Sequence, residues 1–504
     1  MTAQPQHHRA DTYAPGIGFP TLDGRRSTSR TGADVVADSL AHADEGLAER
    51  ARSSTAWRTE YADVLAASTA ASVREQVAVS IAQDGLEAAR RHLVHRDGSG
   101  TEQPVTAWSA RPASEDHGVR EEVVVGSGGR RTRVEVPYRG EVLHDDALLH
   151  QLDRWIGAGV MEPGFAAAVR TVVQDPDLLA MPGHQVVLLG AGAAMGPLGA
   201  LLGWGAAVTA LDLPDAALWG RLRATAQATA GRMTLPVDHA TGAAGLHLSE
   251  QADRARGWLR ERWAAGATPV LGMYAYADGA HHVELAVTAD VLGTDALTDR
   301  PDAVLAYLNT PTDSFLAPVE AVEVALARWS DPAWNGRLHS LGRAASRGRL
   351  FRPAYAETLQ DDAGRAWSVV DTLVDVQGPN YALAKRIQRW RGVQARAHGR
   401  RVSSTVAPAS WTTSVTRNRV LASVYAGAHR FGVEIFEPAT VAPLLAAKLV
   451  ADTFSPAGAE AAHPESLFAD TAMHGGLWRQ PFEPRTALGM AAVLGAPSRV
   501  LRRR

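Results

Sequence analysis

Tyr381 and Lys385 have the residue types and the spacing that most directly indicate chemistry in this sequence. They lie four positions apart in PNYALAKRIQRWR (379–391), so a helix over this segment places both side chains on one face. A lysine ammonium beside a phenol stabilises the phenolate and lowers the pKa of the phenol. Such a tyrosine can exchange a proton with a substrate hydroxyl or carbonyl near neutral pH. The alternative is a partly buried tyrosine with a solvated lysine on an ordinary helix.

A glycine-rich stretch in VVLLGAGAAMGPLGALLGWGAAVTALD (186–212) predicts a strand, a turn, a short helix and a second strand. Gly190 permits a tight turn, Gly192 lets the backbone approach a pyrophosphate, and Gly196 lets helix and strand pack closely. The N-terminus of the helix then favours the phosphates. Asp212 lies 22 positions after Gly190, a spacing that suits an acid bonding ribose hydroxyls. The stretch therefore predicts a dinucleotide site.

The same stretch has two other interpretations. It is uncharged over much of its length, as a transmembrane helix would be, but its dense glycines and the interior Pro197 disfavour a membrane span. The second interpretation is a glycine-rich turn that binds no nucleotide. It stays open because a lone motif of this kind is a weak signal.

Strands and helices alternate through the region that follows, which predicts parallel strands joined by crossover helices. We expect an α/β fold with a Rossmann-type doubly wound parallel sheet, a mainly helical N-terminal domain and a C-terminal extension. The strands are expected at 186–189, 206–212, 231–240, 268–279, 302–311, 366–372 and 401–408. The helices are expected at 216–230, 249–265, 281–292, 318–329, 381–397 and 438–452.

Four regions are expected along the chain. Residues 1–30 are a polar, poorly ordered tail, and residues 31–182 form a mainly helical domain with a β-hairpin over 120–138. Residues 183–453 form the dinucleotide-binding domain, and 454–504 form the C-terminal extension. No chemistry is assigned to the first 180 residues, which could provide a partner surface or a lid.

Composition excludes several classes of protein. The net charge of −3 disfavours a nucleic-acid or anionic-membrane surface, and the absence of cysteine removes disulfides, thiolate metal sites and cysteine nucleophiles. The N-terminus lacks a secretory signal, so a cytoplasmic protein is expected, without a membrane span and with a homo-oligomer as a further expectation. Only two of 51 basic residues are lysines, a bias typical of a GC-rich, bacterial genome.

The order of these motifs resembles the short-chain dehydrogenase/reductase superfamily over about residues 184–450. The resemblance implies an NAD(P)-dependent oxidoreductase that interconverts an alcohol and a carbonyl. It implies NAD as the cofactor because Asp212 disfavours a 2′-phosphate, with NADP as the alternative because Arg221 and Arg223 lie nearby in sequence. The substrate expected is a small-molecule or acyl-type compound.

The resemblance also implies roles for individual residues. AGAAMG (191–196), which includes Met195, matches the cofactor turn, and Asp238 matches an acid near the adenine. Pro408 lies where the family has a loop beside the nicotinamide, and Tyr381 with Lys385 matches the catalytic pair. The implied cofactor-binding residues are thus Gly190, Gly192, Met195, Gly196, Asp212, Asp238 and Pro408.

The third catalytic residue is less certain from the sequence. Ser368 precedes Tyr381 by 13 positions, the family's usual spacing, whereas Thr372 better fits the end of the preceding strand. Ser368 is preferred. The family's Asn-Asn-Ala-Gly segment is missing, Leu198 replaces its last turn glycine, and Asn309 is a candidate for its asparagine.

Other functions remain open. An S-adenosylmethionine-dependent methyltransferase also uses a glycine-rich turn, but Leu188 stands where an acid usually precedes the glycines. A non-catalytic dinucleotide-binding scaffold and an NAD-using epimerase or lyase are further alternatives. His281, His282 and Glu284 form a polar cluster, but adjacent histidines point to different faces of a regular element, so no metal is predicted.

Overall fold

The computed structural model describes residues 14–21, 24–263, 266–355, 357–374, 377–455 and 463–496. Its strands are β1 (Gly16–Gly18), β2 (Val94–Arg96), β3 (Glu102–Pro104), β4 (Val119–Val125), β5 (Val136–Tyr138), β6 (Glu141–Leu143), β7 (His184–Leu189), β8 (Ala207–Leu211), β9 (Arg232–Asp238), β10 (Thr268–Met273), β11 (Val304–Asn309), β12 (Ser314–Pro318), β13 (Leu359–Gln360), β14 (Ala366–Asp371) and β15 (Val402–Val406).

Helices occupy much of the remaining chain. They are α1 (Thr28–Leu40), α2 (Glu45–Ser53), α3 (Trp57–Ala71), α4 (Glu75–His92), α5 (Val105–Ser109), α6 (Asp145–Gly157), α7 (Pro163–Gln174), α8 (Leu198–Gly203), α9 (Ala216–Gln227), α10 (Ala252–Trp263), α11 (Ala280–Asp299), α12 (Val319–Ser330), α13 (Arg337–Ala345), α14 (Pro379–Ala397), α15 (Thr413–Arg417), α16 (Arg419–Ala428), α17 (Pro438–Phe454), α18 (Ser466–Ala469) and α19 (Pro484–Gly495). Short 3₁₀ helices lie at Pro176–Ala180, His429–Phe431 and Leu477–Arg479.

A seven-stranded sheet in the order β15-β11-β10-β7-β8-β9-β4 forms the centre of the fold. Six of its strands are parallel, and β4 pairs antiparallel with β9 at one edge. The chain builds outward from β7 in one direction through β8 and β9, and in the other through β10, β11 and β15. The order reverses between β7 and β10, as in a doubly wound nucleotide-binding sheet. The α/β prediction is confirmed, and the sheet is compatible with a Rossmann-like fold.

The central strand β7 alternates between two apolar layers. Val186 and Leu188 pack in a core with α6, α7, α8 and α17, whereas Val187 and Leu189 pack against α10 and α11 on the other face. All four side chains are buried. Burial on both faces explains why this strand is an uninterrupted apolar run rather than an alternating one.

The segment after the glycine-rich turn forms the predicted short helix, which begins late in the segment. Residues 190–197 form irregular turns, in which the Ala193 amide donates to the Gly190 carbonyl and the Gly196 amide to the Ala193 carbonyl. Helix α8 begins only at Leu198 and has six residues. A short helix of this kind contributes little dipole, so the predicted phosphate stabilisation by a helix N-terminus has weak support.

The predicted hairpin over 120–138 is wrong. Strand β4 joins the edge of the main sheet beside β9, while β5 pairs with β6. The glycines between the two runs lie against backbone instead of forming a tight turn. A Cβ at Gly126 would lie 2.0 Å from the Thr229 carbonyl oxygen, and one at Gly128 would lie 2.1 Å from that of Ala228. The open edge of β9 is therefore covered by β4.

Helices α1, α3 and α4 cover α14 on the face of the sheet that carries α10 and α11. They share one apolar core with β12, β14 and α14. Gly85 of α4 is the closest contact, since a Cβ there would lie 2.6 Å from the Trp390 ring. The sheet β12-β14-β13 is inserted between β11 and α14. None of the described helices is long and apolar enough to span a bilayer.

Candidate functional site

Four strand ends meet at the carboxyl edge of the main sheet. Gly190 follows β7, Tyr274 follows β10, Thr310 follows β11, and Pro408 lies two residues after β15. Ligands of open α/β sheets bind at this edge, in the crevice where the strand order reverses. The first turn of α14 brings Tyr381 to the end of β11. The predicted catalytic helix therefore lies on the side of the sheet where binding is expected.

The Tyr381 phenol is enclosed by three side chains from different elements. It is hydrogen-bonded to Thr310, its ring stacks on that of His282 with centroids 5.3 Å apart, and it meets the Tyr276 ring edge-on at 6.0 Å. Desolvation raises the pKa of Tyr381 to about 12, against the opposing effect of the Thr310 hydrogen bond. The phenol is therefore protonated at neutral pH.

Lys385 does not make the predicted contact with Tyr381. Its Nζ donates to the Leu308 carbonyl at 3.0 Å and to Gln388 Oε1 at 3.2 Å, and the described residues show no hydrogen bond from it to the phenol. Desolvation lowers the pKa of Lys385 to about 8. The expectation that Lys385 lowers the pKa of Tyr381 is wrong. The N–H groups of Lys385 bond acceptors in β11 and α14, and desolvation raises the pKa of the phenol.

His282 is a site residue that the sequence did not identify. It is completely buried, and its Nδ1 accepts from the Ala277 amide at 3.4 Å, which leaves the hydrogen of the neutral ring on Nε2. Desolvation and the charge of Lys385 hold the pKa of His282 well below its usual value. In the described part of the chain Nε2 has no hydrogen-bond partner. A buried donor without a partner is suited to bind an oxygen of a ligand.

The neighbouring His281 points away from this cluster and pairs with Glu284 Oε2 at 2.7 Å. The two adjacent histidines therefore face different surroundings, as the sequence indicated. Among the described residues, no group of three or more His, Asp or Glu side chains is arranged to hold a metal ion.

A chain of hydroxyl and amide groups extends from Tyr381 into the loop after β11. Thr310 Oγ1 lies 2.8 Å from Thr312 Oγ1, which also accepts a short hydrogen bond from Gln377 Nε2. Thr372 donates to the Pro311 carbonyl at 2.6 Å and so fixes the same loop. Thr372 thus stabilises the loop by bonding its backbone, whereas the hydroxyl that contacts Tyr381 belongs to Thr310.

The structure does not bring Ser368 to this site. Its hydroxyl donates to the Glu357 carbonyl within the small inserted sheet, where Ser368 pairs with Ala317 of β12. Four positions along β14 separate it from Thr372, which is about 13 Å in an extended chain. The spacing of 13 residues between Ser368 and Tyr381 gave a wrong prediction because it assumes that the strand preceding α14 ends beside Tyr381. That strand is β14 of the insertion, whereas the strand that ends beside Tyr381 is β11.

A buried ionic cluster joins the same loop to the body of α14. Asp313 accepts from Arg386 Nη2 at 2.8 Å and from Arg389 Nη1 at 3.0 Å, and Arg389 also pairs with Glu465 at 2.9 Å. Burial opposes ionisation of Asp313, but the two guanidinium groups more than offset it and lower the pKa. Asp313 lies three residues after Thr310, so the cluster positions Thr310 against α14.

The glycine-rich turn is shaped by its own neighbours. Gly190 has φ +88°, and a Cβ there would lie 2.3 Å from the Ala275 amide nitrogen. A Cβ at Gly192 would lie 2.6 Å from Leu218 Cδ1. Asp212 accepts from the Gly192 amide and the Leu213 amide, both at 2.8 Å, and burial raises its pKa. The acid after β8 therefore bonds the turn, and its predicted contact with a ribose stays a prediction.

The turn has features that fit a dinucleotide. Gly192 and Ala194 are exposed, and the amides of Ala194 and Met195 donate to no acceptor in the described residues. Each carboxylate oxygen of Asp212 accepts one hydrogen bond, so each keeps a lone pair for a ribose hydroxyl. Free amides suit a pyrophosphate, and an acid beside them suits a ribose.

Two other residues that the resemblance implicates are engaged within the protein. Asp238 accepts from the Thr241 amide at 2.7 Å and pairs with Arg254 at 2.6 Å, which together lower its pKa to about 2. Pro408 is buried, and its carbonyl accepts from Ser410 Oγ at 3.0 Å. Contacts of either residue with a cofactor stay predictions. Arg223 is held by both oxygens of Glu122, so it is not free for a 2′-phosphate.

An apolar cavity opens next to the hydroxyl chain. It comprises about 680 Å³ of space, including its opening to solvent. Thr312 and Thr372 line one part of its wall, and Tyr425 of α16 lines another. The ionisation of Tyr381 affects that of Tyr425, so the two phenols are near each other. Thr312 lines the cavity and also bonds Thr310, so the cavity adjoins the hydroxyl chain near Tyr381.

Three elements of the site escaped prediction, namely Thr310, His282 and the cavity. Thr310 could have been suspected as the first hydroxyl after the strand in YLNTP (307–311), and His282 as a polar residue at the start of an apolar helix. The cavity walls come from distant segments and have no local signal.

Comparison of the chain with protein-family models, curated proteins and solved structures finds no match. Its function is therefore inferred from the geometry of the site.

Proposed function

We propose that the chain is an NAD-dependent oxidoreductase of short-chain dehydrogenase/reductase type that interconverts an alcohol and a carbonyl. The observation that supports this most is the placement of Tyr381, Thr310 and Lys385 at the end of β11. The glycine-rich turn ends β7, two strands away and so about 10 Å across the same edge. A dinucleotide with its pyrophosphate on the turn can direct its nicotinamide towards Tyr381.

When bound, NAD(H) would exchange a hydride with the substrate carbon. The turn 192–196 and Asp212 would hold its pyrophosphate and ribose. Lys385 uses two N–H groups on Leu308 and Gln388, which leaves a third for a ribose hydroxyl. His282 Nε2 offers a further donor near the same place.

The proton moves at the Tyr381 hydroxyl. The Thr310 hydroxyl can donate to the phenolic oxygen, which leaves the phenolic hydrogen for the carbonyl oxygen of the substrate. Transfer of that proton neutralises the oxygen as it gains negative charge. Thr310 and His282 keep the phenol in place through their contacts on two sides.

The test separates cofactor binding from turnover. NADH should raise the melting temperature of the wild-type protein and of Y381F alike, since Tyr381 does not hold the pyrophosphate. Y381F should lose carbonyl-dependent oxidation of NADH. Y138F is the matched control, because the Tyr138 hydroxyl bonds Glu434 and neither residue belongs to the group around Tyr381. Turnover by Y381F, or stabilisation by S-adenosylmethionine in place of NADH, would overturn the proposal.

A further inference from the structure

The apolar cavity beside the hydroxyl chain is open to solvent, and its wall is predominantly hydrophobic, as in sites that bind small molecules. Thirteen of its 17 lining residues are apolar, and none is charged. The walls come from α16, α19 and the segments around Phe431 and Phe482.

Three of the four polar side chains in the wall are engaged within the protein, and the fourth is the Tyr425 phenol. Thr372 donates to the Pro311 carbonyl, Thr312 bonds Thr310 and Gln377, and Gln480 donates to the Gly476 carbonyl. Water needs several polar partners to be held in a cavity. The interior is therefore suited to hydrocarbon and poorly suited to water or a charged group.

The space is maintained by a rigid pair of helices. A Cβ at Gly427 of α16 would lie 1.9 Å from the Ala491 carbonyl oxygen, and one at Gly495 of α19 would lie 1.9 Å from that of Ser423. The two backbones therefore touch and cannot move closer. Small side chains, including Ala428 and Ala487, line the cavity between them and leave it open.

One wall of the cavity adjoins the hydroxyl chain that leads to Tyr381. Thr312 lines the wall and lies 2.8 Å from Thr310 Oγ1, which in turn bonds Tyr381. A linear apolar chain in the cavity would thus end beside the phenol.

We propose that this cavity binds the unbranched aliphatic chain of the substrate, so that the substrate is a long-chain alkyl or acyl carbonyl compound. The placement of the carbonyl at Tyr381 rests on the proposed function, whereas binding of the chain in the cavity does not.

The test measures binding without cofactor or turnover. Straight-chain primary alcohols from butanol to dodecanol are titrated into the full-length protein by calorimetry. Each methylene that enters an apolar site should tighten Kd about fourfold until the cavity is filled. An affinity that does not depend on chain length would overturn the proposal.

Matched variants test where the aliphatic chain of the alcohol binds. Val424 lines the cavity, and V424W should weaken dodecanol binding about tenfold by displacing methylenes. V493W is the control, because Val493 of α19 is 65% exposed and lies outside the cavity wall. Circular dichroism establishes that both variants fold. If V424W does not fold, A487V serves in its place and should give a smaller loss of dodecanol affinity. Equal affinities for V424W and V493W would contradict the assignment.

The two proposals fail separately. If NADH does not stabilise the protein but chain-length dependence persists, the oxidoreductase is refuted and the cavity assignment stands. If Y381F loses turnover as expected but the alcohols show no chain-length dependence, only the cavity assignment is refuted.

Discussion

Replacement of Thr310 by valine removes the hydroxyl that contacts Tyr381 and keeps the shape of the side chain. Desolvation raises the pKa of Tyr381 to about 12, and the hydrogen bond from Thr310 opposes that rise. The same hydroxyl lies 2.8 Å from Thr312 Oγ1. T310V therefore raises the pKa of the phenol further and leaves both neighbours without this partner.

The structure sets the expected size of the effect. A buried polar group that loses its partner costs about 1–3 kcal/mol, so T310V should lower the free energy of unfolding by about 1–2 kcal/mol. A hydroxyl that also orients the developing oxyanion contributes about 3 kcal/mol to the barrier, which corresponds to a loss of about 10²-fold in kcat. T310S retains the hydroxyl and should restore most of the activity.

S368A is the matched control, since it also removes one buried hydroxyl. It should lower stability by about 1 kcal/mol through loss of the bond to Glu357 and leave kcat unchanged. The assays are oxidation of NADH with a straight-chain aldehyde and unfolding in urea. If S368A lost turnover while T310V kept it, the assignment of Thr310 would be refuted in favour of the residue chosen from the sequence spacing.

Two further predictions concern the groups that hold the site. Because the pKa of Lys385 falls from 10.5 to about 8 on folding, the unfolded chain binds more protons between these values, so stability should rise with pH in this window. K385M should lack that rise when its free energy of unfolding in urea is measured across this pH range. If the free energies of K385M and the wild type changed in parallel with pH, the prediction would be refuted. D313N leaves Arg386 buried without a carboxylate and Arg389 with Glu465 alone, and it should cost about 3–5 kcal/mol. D302N removes a carboxylate that is 46% exposed and should cost less than about 1 kcal/mol; similar losses would contradict the role of the buried cluster.

Local signals in the sequence were sufficient for much of the fold. The apolar run before Gly190 and the acid after the second strand are contiguous, so strand, turn and strand followed from residues 186–212 alone. The helix that carries Tyr381 and Lys385 was also predicted from local periodicity. Spacing of four residues placed the two side chains on one helix, but it could not show which atoms each would bind.

The parts that were missed depend on contacts between distant segments. Thr310 and Tyr381 are separated by an inserted sheet, so a rule based on spacing selected Ser368. The strand at Val119–Val125 has the sequence of a hairpin arm, and only the open edge of β9 determines its partner. The raised pKa of Tyr381 follows from burial, which the sequence does not display.

The ionisation of the site indicates the direction in which it works best. A pKa of about 12 places the phenolate of Tyr381 about 7 kcal/mol above the phenol at pH 7, so the residue is present as the phenol and gives its proton only to a strongly basic oxygen, such as the alkoxide that forms when a carbonyl is reduced. Lys385 has a pKa of about 8 and is mostly charged at that pH, although it bonds a carbonyl rather than the phenol. Its charge favours negative charge that develops nearby on a substrate oxygen. A protonated phenol and a cation would suit the conversion of a carbonyl into an alcohol.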